Sequence, residues 1–228
     1  MGEFTLLHNL WYHLFVKVAL KWLHQLLSKL TIYLERKIPM SESLKDPIAP
    51  YIIEIRKQGL TYDEAVERIL QENGVKTAPV PVIRIAENLG FKVYTSGFKD
   101  SGIAGIMADS TTAVAPFKEK RVMVINKNDY ATRQNFTIAH EIGHFVLHCN
   151  DLKNFFERYK HGLDRGQRPE IENNANAFAA ALLMPKKMIT KLVEEKKHLS
   201  RDKIINLICQ NFIVSEKAAN RRLIELNL

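Results

Sequence analysis

The chain has 228 residues, of which 46% are hydrophobic and 25% charged, and this composition argues against a disordered protein and for one substantial domain with an appendage. The net charge of +8 is concentrated in residues 184–228, which carry ten basic and five acidic side chains; we interpret the excess as a solvated helical surface, so nucleic acid is not the expected partner. Two cysteines, Cys149 and Cys209, are too few for a disulfide framework, which favours a cytoplasmic protein.

The first predicted element is an amphipathic helix within residues 6–34. Apolar residues that include Trp11, Phe15 and Trp22 recur at helical spacing, and polar or charged residues such as Lys17 interrupt them, which argues against a membrane span. The N-terminus also lacks the features of a secretory signal. We expect residues 1–39 to form an extension that packs on its own protein or on a second copy, with a membrane surface as the alternative partner.

Three more helices follow, from about residue 47 to 57, from 61 to 73, and from Pro81 to Gly90. Thr61 and Glu64 have the spacing of a capping box, which marks the start of the second of these helices. Short β-branched segments then predict a small antiparallel or mixed sheet, with strands at residues 91–95, 103–108, 111–116 and 121–126. The helical pattern returns at Tyr130, and a polar loop interrupts it from residue 150 to 169.

This order of elements predicts a mainly helical α+β fold with a small sheet. We expect three parts: the extension at residues 1–39, a central domain at 40–199, and a C-terminal helical pair at 200–228.

The centre of the chain carries an H-E-x-x-H motif in the run FTIAHEIGHFVLH. Histidines four residues apart, His140 and His144, lie on one face of a helix and can bind a single zinc ion. The metal activates a water near neutral pH, and Glu141 can accept its proton. One zinc ion per chain is expected, although Mn²⁺ or Fe²⁺ also suits such a site.

The rest of the motif helix is apolar nearly all round, so the helix should be buried. Its polar stripe, which includes Thr137 and His148, would then lie inside the protein, where histidines and a carboxylate are costly unless a metal satisfies them. Glycine is a poor helix former, and its presence at position 143 is tolerable if another element must pack closely against the helix there.

A third ligand must come from outside the motif, and the best source is the Ala-rich segment EIENNANAFAAALLMP at residues 170–185. Glu172 and Asn176 are four residues apart on one side of the helix expected there, so Glu172 can reach the metal while Asn176 orients a ligand through a hydrogen bond. From spacing alone, Glu170 is the nearest rival to Glu172.

The runs FTIAHEIGHFVLH, EIENNANAFAAALLMP and FIVSEKAANRRLIEL together resemble the ImmA/IrrE family of metallopeptidases over roughly residues 75–228. The resemblance implies a zincin-like domain in which His140, His144 and Glu172 bind zinc and Glu141 is catalytic. It also implies a zinc-dependent endopeptidase of narrow specificity whose substrate is a helix-turn-helix transcriptional repressor.

Further polar residues are candidates for supporting roles at this site. His148 lies two helical turns from His140, about 12 Å along the axis, too far to join the same metal. It can pair with a carboxylate, stabilise the oxyanion or pack. Tyr130, Tyr159 and His161 are other possible donors to a tetrahedral intermediate, and the sequence does not rank them.

The alternative function is a DNA-binding or partner-binding regulator with a structural or vestigial metal site. Two helices, at residues 200–210 and 215–226, flank a short turn, and the second carries Lys217, Arg221 and Arg222, as in a DNA-reading motif. The apolar turn Phe212–Val214 indicates instead a packed corner, and Glu141 has no purpose in a structural site.

Overall fold

A computed structural model of the protein describes residues 49–98, 104–114, 117–148 and 169–228, and in residues 110–114 it describes the backbone. The predicted N-terminal helix and most of the predicted polar loop therefore lie outside the described residues. Within the described ranges the chain forms these elements: α1 (Pro50–Gln58), α2 (Tyr62–Glu72), α3 (Val82–Asn88), β1 (Lys92–Ser96), β2 (Gly105–Val114), β3 (Glu119–Asn126), α4 (Ala131–His148), α5 (Pro169–Leu183), α6 (Lys186–Glu195), α7 (Arg201–Phe212) and α8 (Glu216–Glu225). The predicted class, mainly helical α+β with a small sheet, is confirmed.

The predicted capping box at the start of α2 is present. The Thr61 hydroxyl accepts a hydrogen bond from the backbone N–H of Glu64, and the Glu64 carboxylate accepts one from the backbone N–H of Thr61 at 2.8 Å. Two N–H groups that have no partner within the helix are thereby satisfied. Gly74, just after this helix, has φ +63°, a left-handed conformation that suits glycine at a helix end.

The sheet has three strands in the order β1-β3-β2, with β1 parallel and β2 antiparallel to β3. The prediction of four strands is wrong, because the second and third predicted strands are one continuous strand, β2. Asp109 lies between these two predicted strands, but it pairs with Arg121 across the sheet and forms a buried ion pair with it at 3.2 Å. This ion pair stabilises aspartate in a strand, where that residue type is otherwise rare. The register of the pairing between β2 and β3 shifts between Asp109 and Val114.

Helix α4 packs against the sheet and against the other helices. A Cβ atom at Gly105 of β2 would lie 2.5 Å from the Thr137 side chain of α4, so this approach requires glycine. The Phe145 ring of α4 meets the ring of Phe91 edge to face at 5.0 Å, inside the buried core. The sheet thus covers one side of the helix that carries the motif.

Helices α7 and α8 form a packed corner. Phe212 and Val214 are buried at the turn, as predicted. Arg222 is only 6% exposed; its Nε donates to the Met184 carbonyl at 3.1 Å, and its guanidinium pairs with Asp63 of α2. The alternative interpretation, in which Arg222 contributes to a DNA-reading helix, loses this residue, because its charge is paired inside the protein.

No helix among the described residues is both long enough and apolar enough to span a membrane.

Candidate metal centre

Side-chain hydrogen bonds tie both ends of α4 to other parts of the chain. At its start, the Gln134 amide donates to the carbonyl oxygens of Asn126 and Asp129, each at 3.0 Å. At its end, Arg56 of α1 donates to the carbonyl oxygens of Phe145 and Val146. The helix that carries the motif is therefore held at both ends, and its middle is buried as predicted.

Helix α5 lies directly against the motif. A Cβ atom at Gly143 would lie 3.1 Å from the carbonyl oxygen of Ala175 and 3.1 Å from the Phe178 ring. The absence of a side chain at Gly143 and the small side chain of Ala175 let the two helices approach, which agrees with the close packing expected at Gly143. This approach brings the first turns of α5 to the polar stripe of α4.

Three polar side chains meet where these helices touch. The Nε2 atoms of His140 and His144 lie 2.9 Å apart, and the Glu172 carboxylate oxygens lie 3.4 Å from each of them. One ligand atom from each residue can be chosen so that all three lie within 4.8 Å of one another. The structure thus brings Glu172 to the two histidines, whereas Glu170 is an exposed residue of the same helix.

The two distances to Glu172 fit a zinc ion. A tetrahedral site with bonds of about 2.0–2.1 Å places neighbouring ligand atoms about 3.4 Å apart, which is the separation between the Glu172 oxygens and the imidazole nitrogens. Two imidazole nitrogens at 2.9 Å repel each other if both carry lone pairs, unless a proton or a cation lies between them. The donor set of two nitrogens and one carboxylate also matches known catalytic zinc sites.

Asn176 determines which nitrogen of His140 is available. The His140 Nδ1 lies 3.0 Å from the Asn176 side-chain oxygen, and that oxygen can only accept a hydrogen bond. In the neutral ring the proton is therefore on Nδ1, which leaves the lone pair of Nε2 directed toward His144 and Glu172. In the charged ring Nε2 carries a proton as well and can donate it to Glu172. A hydrogen bond from the ring nitrogen that does not bind the metal commonly orients metal-binding histidines.

The electrostatics of the cluster favour a cation. Hydrogen bonds from His140 and then from His144 hold the pKa of Glu172 far below its usual range, against the effect of burial. Burial disfavours the charged form of His140, but the hydrogen bond from its ring to Glu172 and the charges of Glu141 and Glu172 together raise its pKa. Negative groups that attract a proton here attract a metal cation for the same reason.

Glu141 lies beside the cluster and is 2% exposed, while His144 is 1% exposed. The negative charge of Glu141 is one of the causes that raise the pKa of His140.

The other candidates are less well placed or lie outside the described residues. The His148 ring centroid is 5.8 Å from that of His144, and burial is the main cause of its lowered pKa. Tyr130 is 86% exposed. Cys209 is partly buried, and burial raises its pKa. Tyr159, His161 and Cys149 lie outside the described residues.

Sequence reasoning missed two residues that hold the ligand-bearing helices, Arg56 and Tyr62. The Tyr62 hydroxyl donates to the Asn174 side-chain oxygen on α5 at 2.8 Å. No local pattern could have revealed either contact, because each joins residues that are far apart in the chain.

Comparison with known proteins gives matches in both sequence and structure. The family described as the IrrE N-terminal-like domain matches residues 86–224, more than half of the chain. Two curated relatives are each described as the radiation response metalloprotease IrrE. The protein from Deinococcus radiodurans is 40% identical over 80 residues, which cover 33% of this chain and 23% of the relative. The protein from Deinococcus deserti is 40% identical over 79 residues, which cover 33% of this chain and 26% of the relative. The matched region therefore spans about a quarter of the length of these relatives.

A solved structure described as a Mycobacterium tuberculosis transcriptional regulator matches with a TM-score of 0.50 and 17% identity, over 76% of this chain and 50% of that one. At this identity the match concerns the fold alone.

Proposed function

The chain belongs to the IrrE N-terminal-like family, and from this premise we propose that it is a zinc-dependent endopeptidase of narrow specificity. The observation that carries the proposal is the convergence of His140, His144 and Glu172 on one point, with the buried carboxylate of Glu141 beside them. The two relatives described as metalloproteases support the same activity class.

His140, His144 and Glu172 would hold one metal ion per chain. When bound, zinc supplies a Lewis acid that polarises the peptide carbonyl and lowers the pKa of water. Mn²⁺ and Fe²⁺ also accept two imidazoles and one carboxylate, so metal analysis of the purified protein should accompany activity assays.

The residues of the chain itself move the proton and hold the geometry. Glu141 accepts a proton from the attacking water and passes it to the nitrogen of the cleaved peptide bond, which leaves as an amine. Asn176 keeps the proton of His140 on Nδ1, so that Nε2 stays available. Burial of the site strengthens each of these electrostatic interactions.

The proposed substrate is a helix-turn-helix transcriptional repressor, as the family resemblance implies, and the proposed compartment is the cytoplasm. We would incubate the purified protein with the repressor encoded beside it, with and without a chelator, and follow the repressor by mass spectrometry. We expect one specific cut that the chelator abolishes and that added zinc restores. The Glu141→Gln protein is the control for contaminating proteases, and equal cleavage by this variant that the chelator does not abolish would refute the proposal.

The second candidate is a regulator that binds DNA or a protein partner. The observation in its favour is that Lys217 and Arg221 of α8 are exposed. Arg221, however, pairs with Glu225 at 3.1 Å, and Arg222 is buried, so the free positive charge of this helix is small. If a chelator unfolds the chain, with no cleavage detected at any metal concentration, a structural metal site is the better explanation.

A further inference from the structure

Side chains from α1 and α2 reach both helices that carry the proposed ligands. These two helices lie before residue 86, outside the segment that matches the family. Arg56 of α1 reaches the end of α4, and Tyr62 at the start of α2 reaches α5. The contacts therefore come from a part of the chain that the family assignment does not cover.

The Arg56 contact acts on the last turns of the motif helix. Its Nε donates to the Val146 carbonyl at 2.8 Å and its Nη2 to the Phe145 carbonyl at 2.5 Å. Carbonyl groups at a helix C-terminus lack partners within the helix and carry partial negative charge, so a guanidinium suits them. The same guanidinium lies over the Phe145 ring, 5.6 Å from its centroid. These bonds fix the turn that follows His144.

The Tyr62 contact acts on the first turns of α5. Its hydroxyl donates to the side-chain oxygen of Asn174, which is two residues after Glu172 and two before Asn176. A shift of α5 at Asn174 would move both the proposed carboxylate ligand and the residue that orients His140.

Small shifts matter at this site because the two helices already touch through Gly143 and Ala175. A metal site requires its ligand distances within about 0.2 Å of their ideal values. The carboxylate of Glu172 lies 3.4 Å from both histidines, so a shift of α5 along or away from α4 changes both distances together.

We propose that Arg56 and Tyr62 are positioning residues of the metal centre, which hold α4 and α5 at the separation that lets His140, His144 and Glu172 share one ion. This inference rests on the proposed function, because it assumes that these three residues bind a metal. Helices α1 and α2 then belong to the metal-binding unit, and their contacts determine its affinity for zinc.

The test compares zinc affinity in the full-length chain with matched pairs of variants. Tyr62→Phe removes only the hydroxyl, and Tyr94→Phe on β1 is its control. Arg56→Met keeps the apolar stem but removes both hydrogen bonds, and Lys57→Met, at an exposed basic residue on the same helix, is its control. Zinc affinity is measured by competition with a fluorescent chelator, and the stability of each metal-free protein is measured by urea unfolding.

We expect Tyr62→Phe and Arg56→Met each to weaken zinc binding about three- to tenfold, less than the 10–100-fold typical of residues that contact a ligand directly. Tyr94→Phe and Lys57→Met should bind zinc as the unchanged protein does. A residue that only stabilises the fold would lower the urea midpoint and leave the affinity of the folded protein unchanged.

A double-mutant cycle of Tyr62→Phe and Asn174→Ala isolates the hydroxyl contact. The combined variant should bind zinc no more weakly than the worse of the two single variants. Unchanged affinity in Tyr62→Phe, or an equal loss in its control, would overturn the inference. If Arg56→Met does not fold, Arg56→Lys replaces it and should retain part of the affinity. Failure of the unchanged protein to bind zinc would instead contradict the proposed function.

Discussion

The imidazole Nδ1 of His140 and the side-chain oxygen of Asn176 lie 3.0 Å apart and join the motif helix α4 to α5. Asn176 contacts the proposed ligand His140, and one turn earlier the same helix α5 carries the proposed ligand Glu172. A movement of α5 would therefore change both the orientation of the His140 ring and the position of the Glu172 carboxylate.

Asn176→Ala should weaken zinc binding about 10–100-fold, because the His140 ring loses the acceptor that fixes its tautomer. Asn173→Ala, at an exposed position on the same helix, is the control and should bind zinc normally. Chelator competition measures both affinities. Equal affinity in the two variants would show that Asn176 does not orient the ligand.

Glu141→Gln should retain zinc but lose cleavage by about 10²–10⁴-fold, the usual contribution of a general base. Glutamine has nearly the same shape as the buried glutamate but cannot take a proton from water. Metal content by atomic emission and cleavage of the repressor separate the two effects. Glu170→Gln, at an exposed carboxylate, should retain both, and substantial cleavage by Glu141→Gln would assign the base elsewhere.

Glu172→Ala should lower the zinc content, whereas Glu170→Ala should not, because Glu172 lies 3.4 Å from both histidines and Glu170 is exposed. His140→Ala and His144→Ala should also lose zinc, from about one ion per chain in the unchanged protein. The measurement is metal content after dialysis against a weak chelator. Full zinc content in Glu172→Ala would require a different third ligand.

Gly143→Ala tests two opposing effects. Alanine improves helix propensity by about 1 kcal/mol, but its Cβ would lie 3.1 Å from the Ala175 carbonyl and the Phe178 ring. Overpacking of this kind costs about 1–3 kcal/mol, so we expect a lower urea midpoint and weaker zinc binding. Thr132→Ala, on the same helix, should show neither loss. A stabilised variant with normal affinity would show that α5 can move away without harm to the site.

Deletion of residues 1–39 should leave a folded protein that binds zinc, because every proposed ligand lies after residue 39. What should change is association, since the sequence predicts an amphipathic helix here that would carry Trp11, Phe15 and Trp22 on its apolar side. Sedimentation of both forms, with and without anionic vesicles, distinguishes self-association from membrane binding. Precipitation or loss of zinc in the shortened chain would place these residues in the catalytic unit.

The local features of this protein were predictable from its sequence. The spacing of His140, Glu141 and His144 is a property of one helix, and the Thr61 capping box is a property of one turn. Such features depend on neighbours within four residues, which the periodicity of the chain reveals directly.

Contacts between distant residues were decided by the tertiary structure. The sequence left Glu170 and Glu172 as rivals from spacing alone, and the packing of α5 on Gly143 brings Glu172 to the histidines. It likewise could not show that Asp109 continues a strand, that Arg222 is buried, or that Arg56 and Tyr62 reach α4 and α5. Each of these depends on a partner that only the folded chain brings near, so no local pattern encodes it.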